Sequence, residues 1–281
     1  LSDPPRGCPP LPLLHLFVLS LVQGITEFLP ISSSGHLVLT WEVLGSNVPE
    51  HDQLTVDIAV HVGTLAAVCG YFRRDIADMV TGAFAGLAGR PTAGTRLAVF
   101  VVLATLPVIA AGFLLKDVVD DVLRSAEVIA WTTLGFGVLL YVADKAGAQM
   151  RRLGDMRWAD AVIIGLMQIL ALVPGTSRSG ITMTAGRLLG YDRREAARFS
   201  MLLAIPAIAG AGTLAGLDVY QSGNLALGLD ALIAAAMAFA AAWAAIALLM
   251  RWLAVASFTP FVVYRIALGG LLLGLIYTGV L

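Results

Sequence analysis

The chain alternates long apolar runs with short polar ones. Six runs, roughly 54–72, 95–115, 126–143, 197–217, 229–250 and 260–281, are long enough to span. A helix needs about 20 apolar residues to cross a bilayer. Two further runs, roughly 11–29 with 36–45 and 159–173 with 180–190, are broken in the middle by Pro, Gly and Ser. Backbone that leaves the helix at membrane depth must be satisfied by protein or by a water-filled cavity. Each broken run is therefore read as a re-entrant hairpin that enters and leaves on one side. The predicted fold is an all-α polytopic membrane protein, six transmembrane helices plus two re-entrant helical hairpins. Residues 1–281 form one integral membrane domain.

The loop charges agree with this plan. Arg73, Arg74, Arg90 and Arg96 lie within 73–96; Lys145, Arg151, Arg152 and Arg157 within 144–158; Arg187, Arg193, Arg194 and Arg198 within 187–198. The positive-inside rule assigns these loops to the cytoplasm. The segments 45–57 (Glu50, Asp52, Asp57) and 218–228 (Asp218) hold no Lys or Arg, and 116–124 sets Lys116 and Arg124 against Asp117, Asp120 and Asp121. These three are assigned outside, and both termini then fall outside the cytoplasm.

The two broken runs are alike. At an offset of 145 residues Leu21 meets Leu166, Gln23 meets Gln168, Ser32 meets Ser177, Ser34 meets Ser179 and Gly35 meets Gly180, while Pro30 and Pro174 miss by one. Three spans follow each hairpin. An odd number inverts the second copy, giving inverted-topology repeats of approximately 11–143 and 158–281. Such repeats place a site where the two breaks meet, near the midplane.

Composition fits a lipid-embedded chain. Residues are 58% hydrophobic and 13% charged, against about 25% charged in soluble domains. A net charge of −1 gives no basic footprint for nucleic acid. Cys8 lies in a Pro-rich tail and Cys69 in an apolar run, and neither is read as disulfide or metal chemistry. The tail "LSDPPRGCPP" is not read as a signal peptide, because the apolar run behind it leads into polar motif residues.

The chemistry concentrates in the two breaks. The first supplies Gln23, Glu27, Ser32, Ser33, Ser34, Gly35 and His36. Gln23 and Glu27 are i,i+4 and share a helix face. A carboxylate at membrane depth costs on the order of 3 kcal/mol, so Glu27 is expected to face a partner or a polar cavity. The second break, "PGTSRSGIT", brings Gly175, Thr176, Ser177, Arg178, Ser179, Gly180 and Thr182. Glu27 and Arg178 are electrostatic partners if the loops meet. Small Ser/Gly residues running into a helix N-terminus make an oxyanion cradle, and Arg178 adds a planar fork suited to phosphate. A carboxylate beside such groups points to a divalent cation or to proton transfer. His36 can serve as base, acid or nucleophile. Together these read as phosphoryl transfer in a lipid-accessible site.

Plainer readings stand beside this one. Glu27 with Arg178 could be a structural ion pair, but that leaves the serines and His36 unexplained. The serines could cap a helix starting near Gly35. His61 is read as an interhelical hydrogen bond, Pro107 and Pro206 as kinks, and His15 and His51 as peripheral. Arg265, inside the last run, is expected to pair or to snorkel, with no partner assigned.

"QGITE" (Gln23 to Glu27), "PISSSGH" (Pro30 to His36) and "PGTSRSGIT" (Pro174 to Thr182) resemble the motifs of the bacterial undecaprenyl-diphosphatases, also called bacitracin-resistance proteins. That family carries (E/Q)xxxE, a Ser-rich GH loop and PGxSRSxxT. The resemblance implies hydrolysis of undecaprenyl diphosphate to undecaprenyl phosphate and inorganic phosphate. It also implies a bacterial inner-membrane location and a site open to the periplasmic side. Glu27 and Gln23 would hold or organise Mg²⁺ or Ca²⁺, although Gln at position 23 weakens a two-carboxylate site. Arg178 would bind the diphosphate, and His36, Ser33 or water would attack. In the expected mechanism His36 activates Ser33 or water, or attacks directly.

Two rival classes are weighed. A polyprenyl-lipid carrier or flippase would also use inverted repeats with broken helices, but would release no phosphate. A phosphatidic-acid-type membrane phosphatase needs a further His after its Ser-Arg motif, and no histidine follows His61. Chain-length preference, choice of cation and a homodimer are left open.

Overall fold

The structure is a computed structural model. It describes residues 12–44, 50–115, 119, 123, 125–147, 150–222 and 228–279, with backbone alone at 50–52, 211, 214–222 and 228. Cys8, the tail, the charges of 116–118, 120–121 and 124, and the side chains of Glu50, His51, Asp52 and Asp218 lie outside the described residues.

Eleven α-helices are described: α1 Leu13–Thr26, α2 Ser33–Leu44, α3 Glu50–Tyr71, α4 Arg73–Leu87, α5 Ala93–Leu114, α6 Ala126–Ala146, α7 Trp158–Gln168, α8 Arg178–Leu188, α9 Arg193–Ser222, α10 Gly228–Trp252 and α11 Thr259–Tyr277. Five stretches among the described residues, within α3, α5, α6, α10 and α11, are long and apolar enough to cross a membrane. The chain is thus a helical, polytopic membrane protein. Pro107 and Pro206 sit inside α5 and α9, which continue through them.

The segment 73–96, read from its arginines as a loop, contains α4. Its polar and apolar residues are spread over a short amphipathic helix, a pattern that a search for 20-residue apolar runs passes over. α4 packs on α5, where Thr95 Oγ1 donates to Gly82 O at 2.6 Å. The three arginine-rich segments meet. Arg198 pairs with Asp75, Arg96 Nη2 donates to Met156 O at 2.9 Å, and Arg151 Nη1 donates to Leu189 O at 2.9 Å. Charge and contact therefore gather these segments at one end of the molecule.

Helices cross where side chains are small, because lipid supplies no hydrophobic drive between them and backbone approach must. A Cβ on Gly63 of α3 would lie 2.1 Å from Ala235 O of α10. One on Gly165 of α7 would lie 2.7 Å from Ala104 O of α5. The contacts recur in matched pairs. α1 packs on α10 and α7 on α5; α3 packs on α10 and α9 on α5; α1 meets α2 and α7 meets α8. α1 starts at Leu13 and α7 at Trp158, and α2 starts at Ser33 and α8 at Arg178. Both pairs keep the 145-residue offset.

Candidate functional site

Each break has the same local design. α1 ends at Thr26, and α2 resumes at Ser33. α7 passes into a 3₁₀ turn at Ile169–Leu172, and α8 begins at Arg178. The residue before each resumed helix is a serine at positive φ, Ser32 at 75° and Ser177 at 73°. Positive φ strains a non-glycine residue and is kept where the surroundings enforce it. The hydroxyls pair alike, Ser32 with Ser34 at 3.4 Å and Ser177 with Ser179 at 3.1 Å. Ser177 caps α8 by accepting from Gly180 N at 3.1 Å. In the first break the helix starts two residues before Gly35, and the Ser33 hydroxyl turns to Glu27 instead.

The two breaks touch. Arg178 Nη2 donates to Glu27 Oε1 at 2.8 Å, and Ser179 Oγ donates to Leu29 O at 2.8 Å. Glu27 is 8% exposed and its other oxygen, Oε2, accepts from Ser33 Oγ at 2.7 Å and from Gln23 Nε2 at 3.0 Å. Arg178 Nη1 is held by Ser200 O of α9 at 2.9 Å. A guanidinium has five N–H donors. With two of them engaged, three are left for a ligand.

Gln23, Glu27, Ser33 and Arg178 thus form one cluster. Of the other residues singled out in the sequence, Ser34 is exposed, while Ser32, Gly35, Gly175, Thr176, Ser177, Ser179, Gly180 and Thr182 are buried. The Thr182 hydroxyl is spent on Ser200 Oγ at 2.7 Å and Arg178 O at 2.9 Å, so it braces the arginine from behind. Gly175, at φ +87°, is a packing requirement: a Cβ there would lie 2.2 Å from Thr132 Oγ1.

His36 stands apart from the cluster. Its Nδ1 faces Ser32 O at 2.6 Å, and its Nε2 faces Tyr264 Oη at 2.6 Å, with the two rings stacked. The expected pairing of His36 with Ser33 is not formed; Ser33 is paired with Glu27. The expectation rested on the family resemblance; in the structure each side chain is taken by another partner, Ser33 by Glu27 and His36 by Ser32 O and Tyr264.

Three residues were underrated or missed by the sequence reading. Among the described residues, His61 makes no hydrogen bond between helices. Its Nδ1 is held by Asp57 O of its own helix at 2.6 Å, and its Nε2 points at Glu27 Oε2 across 3.9 Å. Arg265 neither pairs with a carboxylate nor snorkels. It is fully buried and donates to Pro30 O, Thr176 O, Gly175 O, Thr133 O and Thr132 O at 2.9–3.3 Å. One guanidinium therefore ties both breaks to α6. Tyr264, its neighbour on α11, carries no motif at all. An arginine inside an apolar run was the only available signal for this pair.

These features define a polytopic membrane protein with a buried polar cluster of Gln23, Glu27, Ser33 and Arg178 between two broken helices. The family model for bacitracin resistance protein BacA matches residues 16–271. The chain belongs to the BacA family. Similar curated proteins include undecaprenyl-diphosphatase of Ruegeria pomeroyi, 49% identical over 95% of this chain and 99% of that protein. Undecaprenyl-diphosphatase 1 of Rhodospirillum rubrum is 49% identical over 95% and 96% respectively. Undecaprenyl-diphosphatase of Jannaschia sp. is 50% identical over 94% and 99%.

Proposed function

We infer that this chain is an undecaprenyl-diphosphatase, a membrane hydrolase that converts undecaprenyl diphosphate to undecaprenyl phosphate and inorganic phosphate. Full-length identity of about half to relatives of that name supports this reading over a lipid carrier. In the structure, one observation carries it: Arg178 of the second break and Ser33 of the first share the two oxygens of Glu27.

The lipid tail stays among the helices while the diphosphate enters between the breaks. The free N–H groups of Arg178 and the starts of α2 and α8 balance charge on the transferring phosphoryl group, the largest contribution in this chemistry. Ser33 Oγ attacks the terminal phosphorus, and its proton passes to Glu27. The bond from that phosphorus to the bridging oxygen breaks, and undecaprenyl phosphate leaves. Water then releases inorganic phosphate from the serine ester. His36, with both ring nitrogens held by Ser32 O and Tyr264, is not the group that activates Ser33.

A divalent cation, Mg²⁺ or Ca²⁺, fits the residues in part. Gln23 Oε1 is buried with no hydrogen-bond partner, one turn from the Glu27 carboxylate. No group of three or more His, Cys, Asp or Glu suited to a metal occurs among the described residues. Gln23 and Glu27 would therefore hold the ion only with phosphate oxygens and water completing its shell, as is usual for Mg²⁺. When bound it would supply further neutralisation of phosphate charge.

The topology we propose has six spans, with α9 as the sixth, and two re-entrant hairpins, α1–α2 and α7–α8, in inverted repeats. The matched packing pairs and the 145-residue offset of the helix starts support it. Arginines gathered at one end support a cytoplasmic assignment for that end. The site then opens to the periplasmic side of the inner membrane, with both termini outside.

The test is phosphate release from undecaprenyl diphosphate by purified protein, with and without EDTA, beside Arg178→Ala and Glu27→Ala. Release that needs both residues supports the assignment. No release from folded wild-type protein would overturn it.

A further inference from the structure

A second basic site lies away from the cluster, where spans end. A cavity of about 420 Å³ is lined by Arg73, Arg74, Arg194 and Arg198 with the carboxylates Asp75 and Glu195, beside Phe72 and Met250. The span in α3 ends at Tyr71 and that in α10 at Trp252. The cavity therefore sits where hydrocarbon gives way to headgroups. It lies about ten residues, or roughly 15 Å of helix, beyond His61 on α3.

Among the described residues lining it, four arginines face two carboxylates. Arg198 is matched by Asp75 and lies near Glu195. The guanidiniums of Arg73, Arg74 and Arg194 have no hydrogen bond or ion pair among the described residues. Two helices, α4 and α9, start beside the cavity, which adds positive potential from their N-termini. α4 also bears Val80, Phe84 and Leu87 exposed at 50%, 69% and 87%, spaced i, i+4, i+7. An amphipathic helix with such a stripe and basic residues at its end lies in the membrane interface.

We propose that this cavity binds the phosphodiester headgroup of an anionic phospholipid in the adjoining leaflet. Arg73, Arg74 and Arg194 contact the phosphate, and Phe72 and Met250 meet the first carbons of the acyl chains. Basic pockets between spans are suited to such headgroups, and guanidinium forks suit their phosphate oxygens. The proposal does not depend on the phosphatase reading, because none of these residues belongs to the Glu27–Arg178 cluster.

The experiment is native mass spectrometry of the full chain in detergent, titrated with short-chain phosphatidylglycerol, short-chain phosphatidylcholine or inorganic phosphate. Wild-type protein should take one phosphatidylglycerol at least about tenfold more tightly than phosphatidylcholine. The triple variant Arg73→Gln, Arg74→Gln, Arg194→Gln should lose that preference while keeping its melting temperature and phosphate release. Arg90→Gln, exposed at the far end of α4, should retain it. Equal binding of the two lipids, or of the triple variant and wild type, would overturn the proposal. So would an equal loss in Arg90→Gln, which would mean diffuse charge rather than a pocket. Displacement of phosphatidylglycerol by equimolar inorganic phosphate would make this a site for free phosphate instead.

Discussion

Arg178 and Glu27 are 151 residues apart in sequence and 2.8 Å apart in space, one from each break. Their pairing means that neither charge is left alone in a buried site before substrate arrives. It also means that each half of the chain supplies one part of the cluster. Removing the arginine strands a buried carboxylate, which costs about 3–5 kcal/mol. Arg178→Ala should therefore lose at least about a hundredfold in turnover and also melt lower. Arg178→Ala with Glu27→Gln should regain the melting temperature but not the activity. Full activity in Arg178→Ala would refute its role in binding the phosphate.

Ser33 and His36 can be separated by single changes. Ser33→Ala removes the hydroxyl that rests on Glu27 and should lower phosphate release by about a hundredfold or more. Tyr264→Phe removes only the partner of His36 Nε2, and a loss below about tenfold is expected. If Tyr264→Phe were the more damaging of the two in the same release assay, His36 would take over the activating role.

Arg265 should behave as a structural anchor. Arg265→Met leaves buried carbonyls of both breaks without donors, each costing about 1–3 kcal/mol. Thermal unfolding should fall steeply, and phosphate release should fall with it as the breaks separate. An unchanged melting temperature would show that the two breaks are held by other contacts.

Gly175→Ala introduces a Cβ 2.2 Å from Thr132 Oγ1 at a residue with φ +87°. Backbone strain of about 1–3 kcal/mol is expected, before any cost of the clash. Lower thermal stability should be accompanied by weakened activity, because Thr132 Oγ1 also donates to Pro174 O at 2.6 Å. Wild-type behaviour in both assays would contradict the packing argument.

Gln23 offers a test of the cation. Gln23→Glu places a second carboxylate one turn from Glu27 and should lower the Mg²⁺ or Ca²⁺ concentration needed for half-maximal release. EDTA should abolish release in both proteins, and added cation should restore it. Release that is indifferent to EDTA would exclude the cation role given to Gln23 and Glu27.

The apolar runs and their breaks were legible in the sequence because hydrocarbon thickness and backbone satisfaction act on each segment alone. That local rule marked six runs, five of which recur as span-length apolar helices among the described residues, and the two breaks with the serines, Glu27 and Arg178 within them. α4 escaped it, since a short amphipathic helix of 15 residues has no 20-residue apolar run. The choice of Glu27 rather than His36 as the partner of Ser33, the approach of His61, and the anchoring by Arg265 and Tyr264 were decided only in the tertiary structure. Those contacts join residues up to 235 positions apart, and no local periodicity records which helix face a distant span will meet. The sequence by itself determined where charge would enter the membrane; the packing of the two halves determined which groups that charge would face.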